Sequence, residues 1–77
     1  MGSAHCITNQ IRTLRFHHGS MTQQQLAQAI GVSRQTLNAI EGAKYAPSLE
    51  VAFQIARVFE CRIDDVFQFE SRESASG

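Results

Sequence analysis

Apolar residues recur along this chain at the three- and four-residue spacing that brings side chains to one face of a helix. Ile7, Ile11 and Leu14 follow that spacing and predict a first helix, which ends near Gly19. No β-rich run, internal repeat or linker interrupts the pattern. The chain is therefore predicted to be all-α, with about five helices.

The second and third helices are predicted by the residues at their ends. Thr22 and Gln25 have the spacing of a capping box, in which each side chain bonds the backbone amide of the other residue. Gly31 ends this second helix, and Ser33 follows directly as the predicted cap of a third helix over residues 34–41. Such a short link makes the third helix turn sharply away from the second, as in a helix-turn-helix.

Two further helices are predicted after the chain's single proline. Ser48 is placed to cap a fourth helix over residues 49–59, and a short fifth helix is predicted over residues 63–67. Asp64 and Asp65 lie in the first turn of the fifth helix, where the helix dipole favours negative charge. The dipole accounts for these two carboxylates without acid–base catalysis.

The third helix has an unusual exposed face. Its periodicity turns Leu37 and Ile40 towards the core and leaves Arg34, Gln35 and Asn38 on the opposite side, beside the small Ala39. Arginine can bond guanine, and glutamine or asparagine can bond adenine, at base edges in the major groove of DNA. An ordinary polar surface is the alternative, but the helix-turn-helix context favours base reading.

Four further side chains are predicted to contact backbone phosphates. Gln23 lies at the N-terminus of the second helix and Ser33 at that of the third, where free amide groups attract anions. Arg15 and Lys44 lie at the ends of neighbouring elements and add positive charge. These residues surround the predicted base-reading helix.

Charge is distributed unequally along the chain. Its 77 residues carry seven basic and seven acidic side chains, and 43% of them are hydrophobic, which suits one small domain with a compact core. Residues 1–47 contain four basic side chains and one acidic one, whereas residues 48–77 contain three basic and six acidic ones. The neutral total therefore conceals a basic half, and that half contains the predicted DNA-facing residues.

The fourth helix carries two apolar stripes. The stripe predicted to face the core consists of Ala52, Phe53, Ala56 and Phe59. The second stripe consists of Val51, Ile55 and Val58. A monomer would leave the second stripe partly exposed unless the fifth helix or the chain ends cover it, so it predicts a dimer interface.

Other chemistry finds little support in the sequence. Cys6 and Cys61 are too few and too far apart for a disulfide scaffold, and we expect both to be reduced in a cytoplasmic protein. His17 and His18 are adjacent and lack the spacing of metal ligands, so we expect no metal. We also expect no enzymatic activity, cofactor, small-molecule ligand or membrane span.

Four segments together resemble the Cro/C1-type (xenobiotic-response-element) transcriptional regulators. They read MTQQQLA at residues 21–27, GVSRQTL at residues 31–37, KYAPSLE at residues 44–50 and DDVFQF at residues 64–69. The resemblance covers residues 7–69 and is closest to the short stand-alone repressors, such as the cytolysin repressor of enterococci. It leaves residues 1–6 as an extension or tag remnant and residues 70–77 as a flexible tail.

The resemblance implies a compact five-helix, lambda-repressor-like domain that binds a near-palindromic DNA operator as a homodimer. Arg34, Gln35 and Asn38 would read bases, with Thr36 as a weaker candidate; Gln23, Ser33, Arg15 and Lys44 would bind phosphates, with Tyr45 as a weaker candidate. Segments 6–8 and 67–69 would pair as short strands and place Phe67 and Phe69 at the dimer interface.

Two positions depart from the family pattern. Ala43 stands where glycine usually adopts the left-handed conformation, so either the third helix ends early or Ala43 is strained by about 1 kcal/mol. Arg62 replaces the usual serine or threonine cap of the fifth helix, at a cost of about 1 kcal/mol.

The sequence is also compatible with three alternatives to a repressor. An antitoxin or another protein-binding helix-turn-helix would use the same fold to bind a protein. A small enzyme would need a pocket and an activated acid or nucleophile that the sequence does not display. An activator or a restriction–modification controller could share the fold and the DNA binding.

Overall fold

The structure is a computed structural model that describes the backbone of residues 5–71 and the side chains of residues 7–69. Its elements, in chain order, are β1 (His5–Asn9), α1 (Ile11–His17), α2 (Gln23–Ile30), α3 (Arg34–Glu41), α4 (Leu49–Val58), α5 (Ile63–Val66) and β2 (Phe67–Ser71). The outer parts of the predicted extension and tail, residues 1–4 and 72–77, lie outside the described residues. The described chain is thus mostly helical, as predicted, with one short sheet.

The predicted caps start α2, α3 and α4. Thr22 Oγ1 accepts a hydrogen bond from the Gln25 amide at 3.0 Å, and the Thr22 amide donates to Gln25 Oε1 at 2.9 Å. The hydroxyls of Ser33 and Ser48 each accept a bond from the amide three residues later, at 3.0 and 3.2 Å. These bonds satisfy amides that have no partner within the helix, and the predicted starts of all three helices are confirmed.

The predicted first helix is wrong at its start. Ile7 lies in β1, and α1 begins only at Ile11. The side chain of Asn9 accepts a bond from the Ile11 amide at 3.1 Å, while the Gln10 amide donates to the carbonyl oxygen of Val66 at 2.8 Å. Ile7 satisfies helical spacing by coincidence, because its backbone pairs with a distant segment that a local pattern cannot reveal.

That distant segment is β2, which pairs with β1 in antiparallel register. Ile7 lies opposite Phe69, Thr8 opposite Gln68 and Asn9 opposite Phe67. The strands implied by the resemblance are therefore present. They extend over residues 5–9 and 67–71, two residues beyond the predicted domain at each end.

The predicted fourth and fifth helices are each one residue too long, since α4 ends at Val58 and α5 ends at Val66. Phe67 already has extended backbone angles, with φ −119° and ψ 138°, and begins β2.

The core is formed by side chains of all five helices, with α2 packed against α3 and α4, and α4 packed against α5. Its fully buried large side chains are Ile11, Leu26, Leu37, Ile40, Ile55 and Val66.

The predicted division of α4 into two stripes is wrong at two positions. Ile55, predicted for an exposed stripe, is 0% exposed, whereas Phe53, predicted for the core, is 52% exposed. Since α4 packs against both α2 and α5, its buried face is rotated towards Ile55. Val51 and Val58 are half-buried and pack against the core.

Ala43 accepts the backbone strain that the sequence leaves as one of two possibilities. Its φ is 60°, whereas Gly42 has an ordinary φ of −80°. The Ala43 amide donates to the carbonyl of Ile40, and the Lys44 amide to that of Ala39, both at 3.0 Å. These bonds close the end of α3 and hold Ala43 in the left-handed region.

Arg62 starts α5 without a side-chain cap, as predicted. Its amide donates to Asp65 Oδ2 at 3.1 Å, which is the one side-chain bond at this helix start.

Candidate nucleic-acid interface

The site is built on the short link between α2 and α3. Gly31 has φ 79°, and its amide donates to the carbonyl oxygen of Ala27 at 2.9 Å. The amide of Val32 donates to the same oxygen at 3.1 Å, and the Ser33 cap then starts α3. A side chain at position 31 would be strained at this positive φ, so glycine permits the sharp turn between the two helices.

The exposed face of α3 is the one that its periodicity predicts. Arg34, Gln35 and Asn38 are exposed, whereas Leu37 and Ile40 are 0% and 2% exposed. The buried pair anchors the helix, so the polar face projects outwards on a rigid element.

Thr36 lies at the side of this face and is half-buried. Its hydroxyl accepts a hydrogen bond from the Ser33 hydroxyl at 3.0 Å, and its amide is the one that Ser33 caps. Both residues therefore stabilise the start of α3.

A side-chain network ties the N-terminus of α2 to the exposed face of α3. Gln23 Nε2 donates to Asn38 Oδ1 at 3.1 Å and to Glu41 Oε1 at 3.2 Å. The Asn38 carbonyl oxygen thereby accepts one hydrogen bond, while its amide nitrogen donates to no described residue and is available to a ligand. Gln23 therefore lies at the start of α2 and also orients Asn38, a predicted base-reading residue.

Arg15 is held against α3 by the same network and is largely shielded from solvent. Its Nε and Nη2 donate to the two carboxylate oxygens of Glu41 at 2.7 and 3.1 Å, and its Nη1 donates to the Met21 carbonyl at 2.8 Å. The side chains of Arg15 and Glu41 are only 15% and 9% exposed. This geometry argues against the predicted phosphate contact of Arg15, because its guanidinium is occupied by a buried partner.

The unoccupied positive charges at this face belong to three exposed side chains, Arg12, Arg34 and Lys44. Glu41 is the one acidic side chain in the half of the chain that forms the face, and Arg15 neutralises it. The net potential of the face is therefore positive.

A groove of about 690 Å³ unites most of the predicted site. It is lined by Arg12, Arg15, Gln23, Gln35, Asn38, Ala39, Glu41, Gly42 and Lys44. Arg12 is the residue that the sequence counted only as a charge. Its position one helical turn before Arg15 places it on the same face of α1, which indicates a second basic residue at the site. The sequence does not show that Arg12 is the available one, because it does not show that Arg15 is paired with Glu41.

Tyr45 is not part of that groove. It is 55% exposed and lines a second hollow of about 350 Å³, together with Ile7, Pro47, Phe67 and Phe69. Lys44 lines both the groove and this hollow, so it lies at the border between them.

The predicted dimer residues are placed unequally. Phe69 is 69% exposed and Phe67 is half-buried beside it, whereas Ile55 is buried and cannot meet a partner. The large apolar side chains that α4 exposes are instead Leu49 and Phe53, at 69% and 52%.

The described histidine and cysteine side chains, those of His17, His18 and Cys61, do not line the groove. His17 and His18 are exposed, and the ring of His18 meets Phe59 edge-on with 5.0 Å between centroids. Cys61 is a half-buried free thiol whose pKa is raised, first by burial and then by the charge of Asp65. The Cys6 side chain lies outside the described side chains.

The described part of the chain presents neither a cluster of metal-ligating side chains nor a membrane-spanning helix. Within residues 5–71, no group of three or more histidine, cysteine, aspartate or glutamate side chains could hold a metal ion. In the same segment, no helix has both the length and the apolar character needed to cross a membrane.

Known proteins match the chain along most of its length. A helix-turn-helix family model matches residues 11–66. An HTH-type transcriptional regulator of Archaeoglobus fulgidus is 49% identical over 63 residues, which cover 82% of this chain and 89% of that protein. An HTH-type transcriptional regulator of Methanocaldococcus jannaschii is 48% identical over 65 residues, which cover 84% of this chain and 97% of that protein. The HTH-type transcriptional regulator YgzD of Bacillus subtilis is 40% identical over 62 residues, which cover 80% of this chain and 92% of that protein.

Solved structures share the fold at lower identity. The transcriptional regulator VanUg superimposes with a TM-score of 0.70 at 21% identity, over 91% of this chain and 92% of that chain. A protein from Bacteroides fragilis superimposes with a TM-score of 0.69, also at 21% identity, over 80% and 98%. The match of the family model and the identity to these regulators agree with the resemblance of the motifs. The chain belongs to the Cro/C1-type family of DNA-binding helix-turn-helix transcriptional regulators.

Proposed function

We propose that this regulator represses transcription by binding a near-palindromic operator as a homodimer in the cytoplasm. The observation that carries the proposal is the rigid, exposed face of α3, on which Arg34, Gln35 and Asn38 project beside a positive groove. Repression needs no further chemistry, because a protein that occupies an operator excludes other proteins from it.

Base reading follows from the hydrogen-bonding groups on this face. Arg34 offers a planar fork of donors that fits guanine, and Gln35 offers the donor and acceptor that fit adenine. The Asn38 carbonyl oxygen accepts a bond from Gln23, and its free amide nitrogen offers donors to an acceptor such as guanine N7 or thymine O4. These three side chains would read adjacent base steps in one half-site.

Phosphate contacts support this docking from both sides of α3. Lys44 lies exposed in the groove beyond the C-terminal end of α3, and Ser33 is exposed at its N-terminal end. Gln23 lies half-buried at the first position of α2; since its side-chain nitrogen donates to Asn38 and Glu41, the free backbone amides of this helix end would hold the phosphate. Contacts of this kind set the register of a helix in the major groove but carry no sequence information.

The hollow beside the sheet supports a homodimer. Phe69 and Tyr45 are more than half exposed there, and Ile7 is 39% exposed. A second copy related by a two-fold axis would cover such an apolar surface with the same surface of its own. It would also place the two α3 helices about 34 Å apart, one turn of DNA.

Selection of duplexes from a random pool at fixed salt tests DNA binding and symmetry together. We expect a near-palindromic consensus, and Gln35→Ala should lose about 1–3 kcal/mol on it and relax one base step. Enrichment of no sequence would favour a protein partner, as in an antitoxin. A consensus without two-fold symmetry would contradict the dimer.

The oligomeric state is tested by sedimentation. Phe69→Glu should convert a dimer to a monomer, whereas Phe16→Glu, which changes an equally exposed phenylalanine of α1, should leave the dimer intact. If both variants and the parent protein sediment as monomers at micromolar concentration, the homodimer proposal fails. Repression itself is tested with a reporter gene under the selected operator, whose expression should fall when the regulator is present.

A further inference from the structure

We propose that α1 adds its own contact to the DNA backbone, in which Arg12 binds a phosphate and Phe16 packs against the neighbouring deoxyribose. The inference rests on the proposed DNA binding and extends it to two residues outside the helix-turn-helix. It replaces Arg15, which lies on the same helix, as the phosphate-binding residue of α1.

The first argument is the contrast between the two arginines of α1. Arg15 donates hydrogen bonds to the Glu41 carboxylate and to the Met21 carbonyl. Arg12, one turn earlier, is exposed and makes no hydrogen bond or ion pair with another described residue. Since Arg15 neutralises Glu41, no carboxylate at this face competes with a phosphate for Arg12.

The second argument is the position of Arg12 between two openings. It lines the groove that contains Gln35, Asn38 and Lys44, and it also lines an adjoining opening of about 580 Å³ that contains Arg34. A phosphate bound by Arg12 would therefore belong to the same duplex whose bases meet α3.

The third argument is Phe16, which is 72% exposed. It lies one helical turn after Arg12, in the opening that is also lined by Arg34 and by the N-terminal residues Gln23 and Gln24 of α2. An exposed phenylalanine alone needs no explanation. Here it lines the same opening as two cations, Arg12 and Arg34, and a nucleic-acid backbone presents phosphates with apolar sugar surface between them.

The two contacts make different predictions about salt. Each phosphate neutralised by a cation releases counterions, so log K falls as log salt rises. Loss of one contact makes that fall shallower, and the magnitude of the slope decreases by about 0.9. Burial of an apolar ring releases no counterions, so its loss weakens binding at every salt concentration alike. Half-burial of a phenylalanine contributes about tenfold in affinity.

The experiment is a salt titration of binding to the selected operator, followed by fluorescence anisotropy. Arg12→Ala should lower the slope by about 0.9, and Arg12→Lys should restore it. Phe16→Ala should bind about tenfold more weakly with an unchanged slope. Arg57→Ala is the matched control, because Arg57 lies on α4 in a separate hollow with Ala29, and it should change neither quantity.

An unchanged slope for Arg12→Ala would overturn the phosphate contact, and so would an equal loss of slope for Arg57→Ala. Unchanged affinity for Phe16→Ala would overturn the sugar contact. Both side chains are exposed, so circular dichroism should show native folding in all variants. If the parent protein binds no duplex, the proposed function itself fails. If the parent protein binds its operator, and the Arg12→Ala and Phe16→Ala variants bind it with the same affinity and salt slope, only this inference fails.

Discussion

The ion pair between Arg15 and Glu41 makes a sharp prediction about what holds the reading face in place. Two hydrogen bonds, of 2.7 and 3.1 Å, join the guanidinium to the carboxylate, and a third, of 2.8 Å, joins it to the Met21 carbonyl. Glu41 in turn accepts the Gln23 side chain at 3.2 Å. The pair therefore connects α1, the start of α2 and the end of α3.

The magnitude follows from burial. An exposed ion pair contributes up to about 1 kcal/mol, whereas removal of one partner from a buried pair costs about 3–5 kcal/mol. With side chains 15% and 9% exposed, this pair lies nearer the buried limit. We expect Arg15→Ala to lower the free energy of unfolding by about 2–3 kcal/mol, which is a fall in Tm of about 10–20 °C for a domain of this size.

A double-mutant cycle isolates the pair. Arg15→Ala, Glu41→Ala and the double variant would be unfolded with urea and followed by circular dichroism, with an expected coupling energy of about 1.5–3 kcal/mol. A coupling below about 0.5 kcal/mol would refute the reasoning, since it would equate this pair with an exposed one.

DNA binding supplies a second measurement on the same variants. The folded Arg15→Ala protein should keep the salt slope of the parent protein, because Arg15 is not expected to touch phosphate. A decrease of about 0.9 in the magnitude of the slope would instead show that Arg15 binds a phosphate.

Three further predictions concern single side chains. Ala43→Gly should raise the free energy of unfolding by about 1 kcal/mol in urea denaturation, because glycine adopts φ 60° without strain; equal or lower stability would contradict this. Lys44→Ala should weaken binding to all duplexes alike and lower the salt slope by about 1, and a loss confined to the operator would instead indicate base reading. In a Cys6→Ser background, Cys61 should react with iodoacetamide more slowly than the same thiol in urea at pH 8, because its raised pKa keeps less of it as thiolate; equal rates would show that burial does not protect it.

Much of the site could be predicted from local sequence. The caps at Thr22, Ser33 and Ser48 act over three residues, and each forms as predicted. The exposed face of α3 follows from helical periodicity, because Leu37 and Ile40 leave only one orientation for the helix. Local rules suffice where the deciding interactions lie within one or two helical turns.

The predictions fail where an apolar or charged side chain has a choice of distant partners. Periodicity could not rank Ile55 against Phe53 on α4, since both are apolar and the choice depends on how α2 and α5 pack against the helix. It also assigned Ile7 to a helix, because nothing local reveals that its backbone pairs with Phe69.

The sequence by itself determined that the chain is a small helical domain, where its helix-turn-helix lies and which side chains α3 exposes. Those features depend on capping, glycine turns and periodicity, all of which act between near neighbours. Only the tertiary structure decided which of the two arginines of α1 is free. Arg15 meets Glu41 across 26 residues of chain, and Arg12 meets no acidic partner in the described part of the chain. The identity of a charge can be read from the sequence, but its availability depends on the partner that folding brings to it.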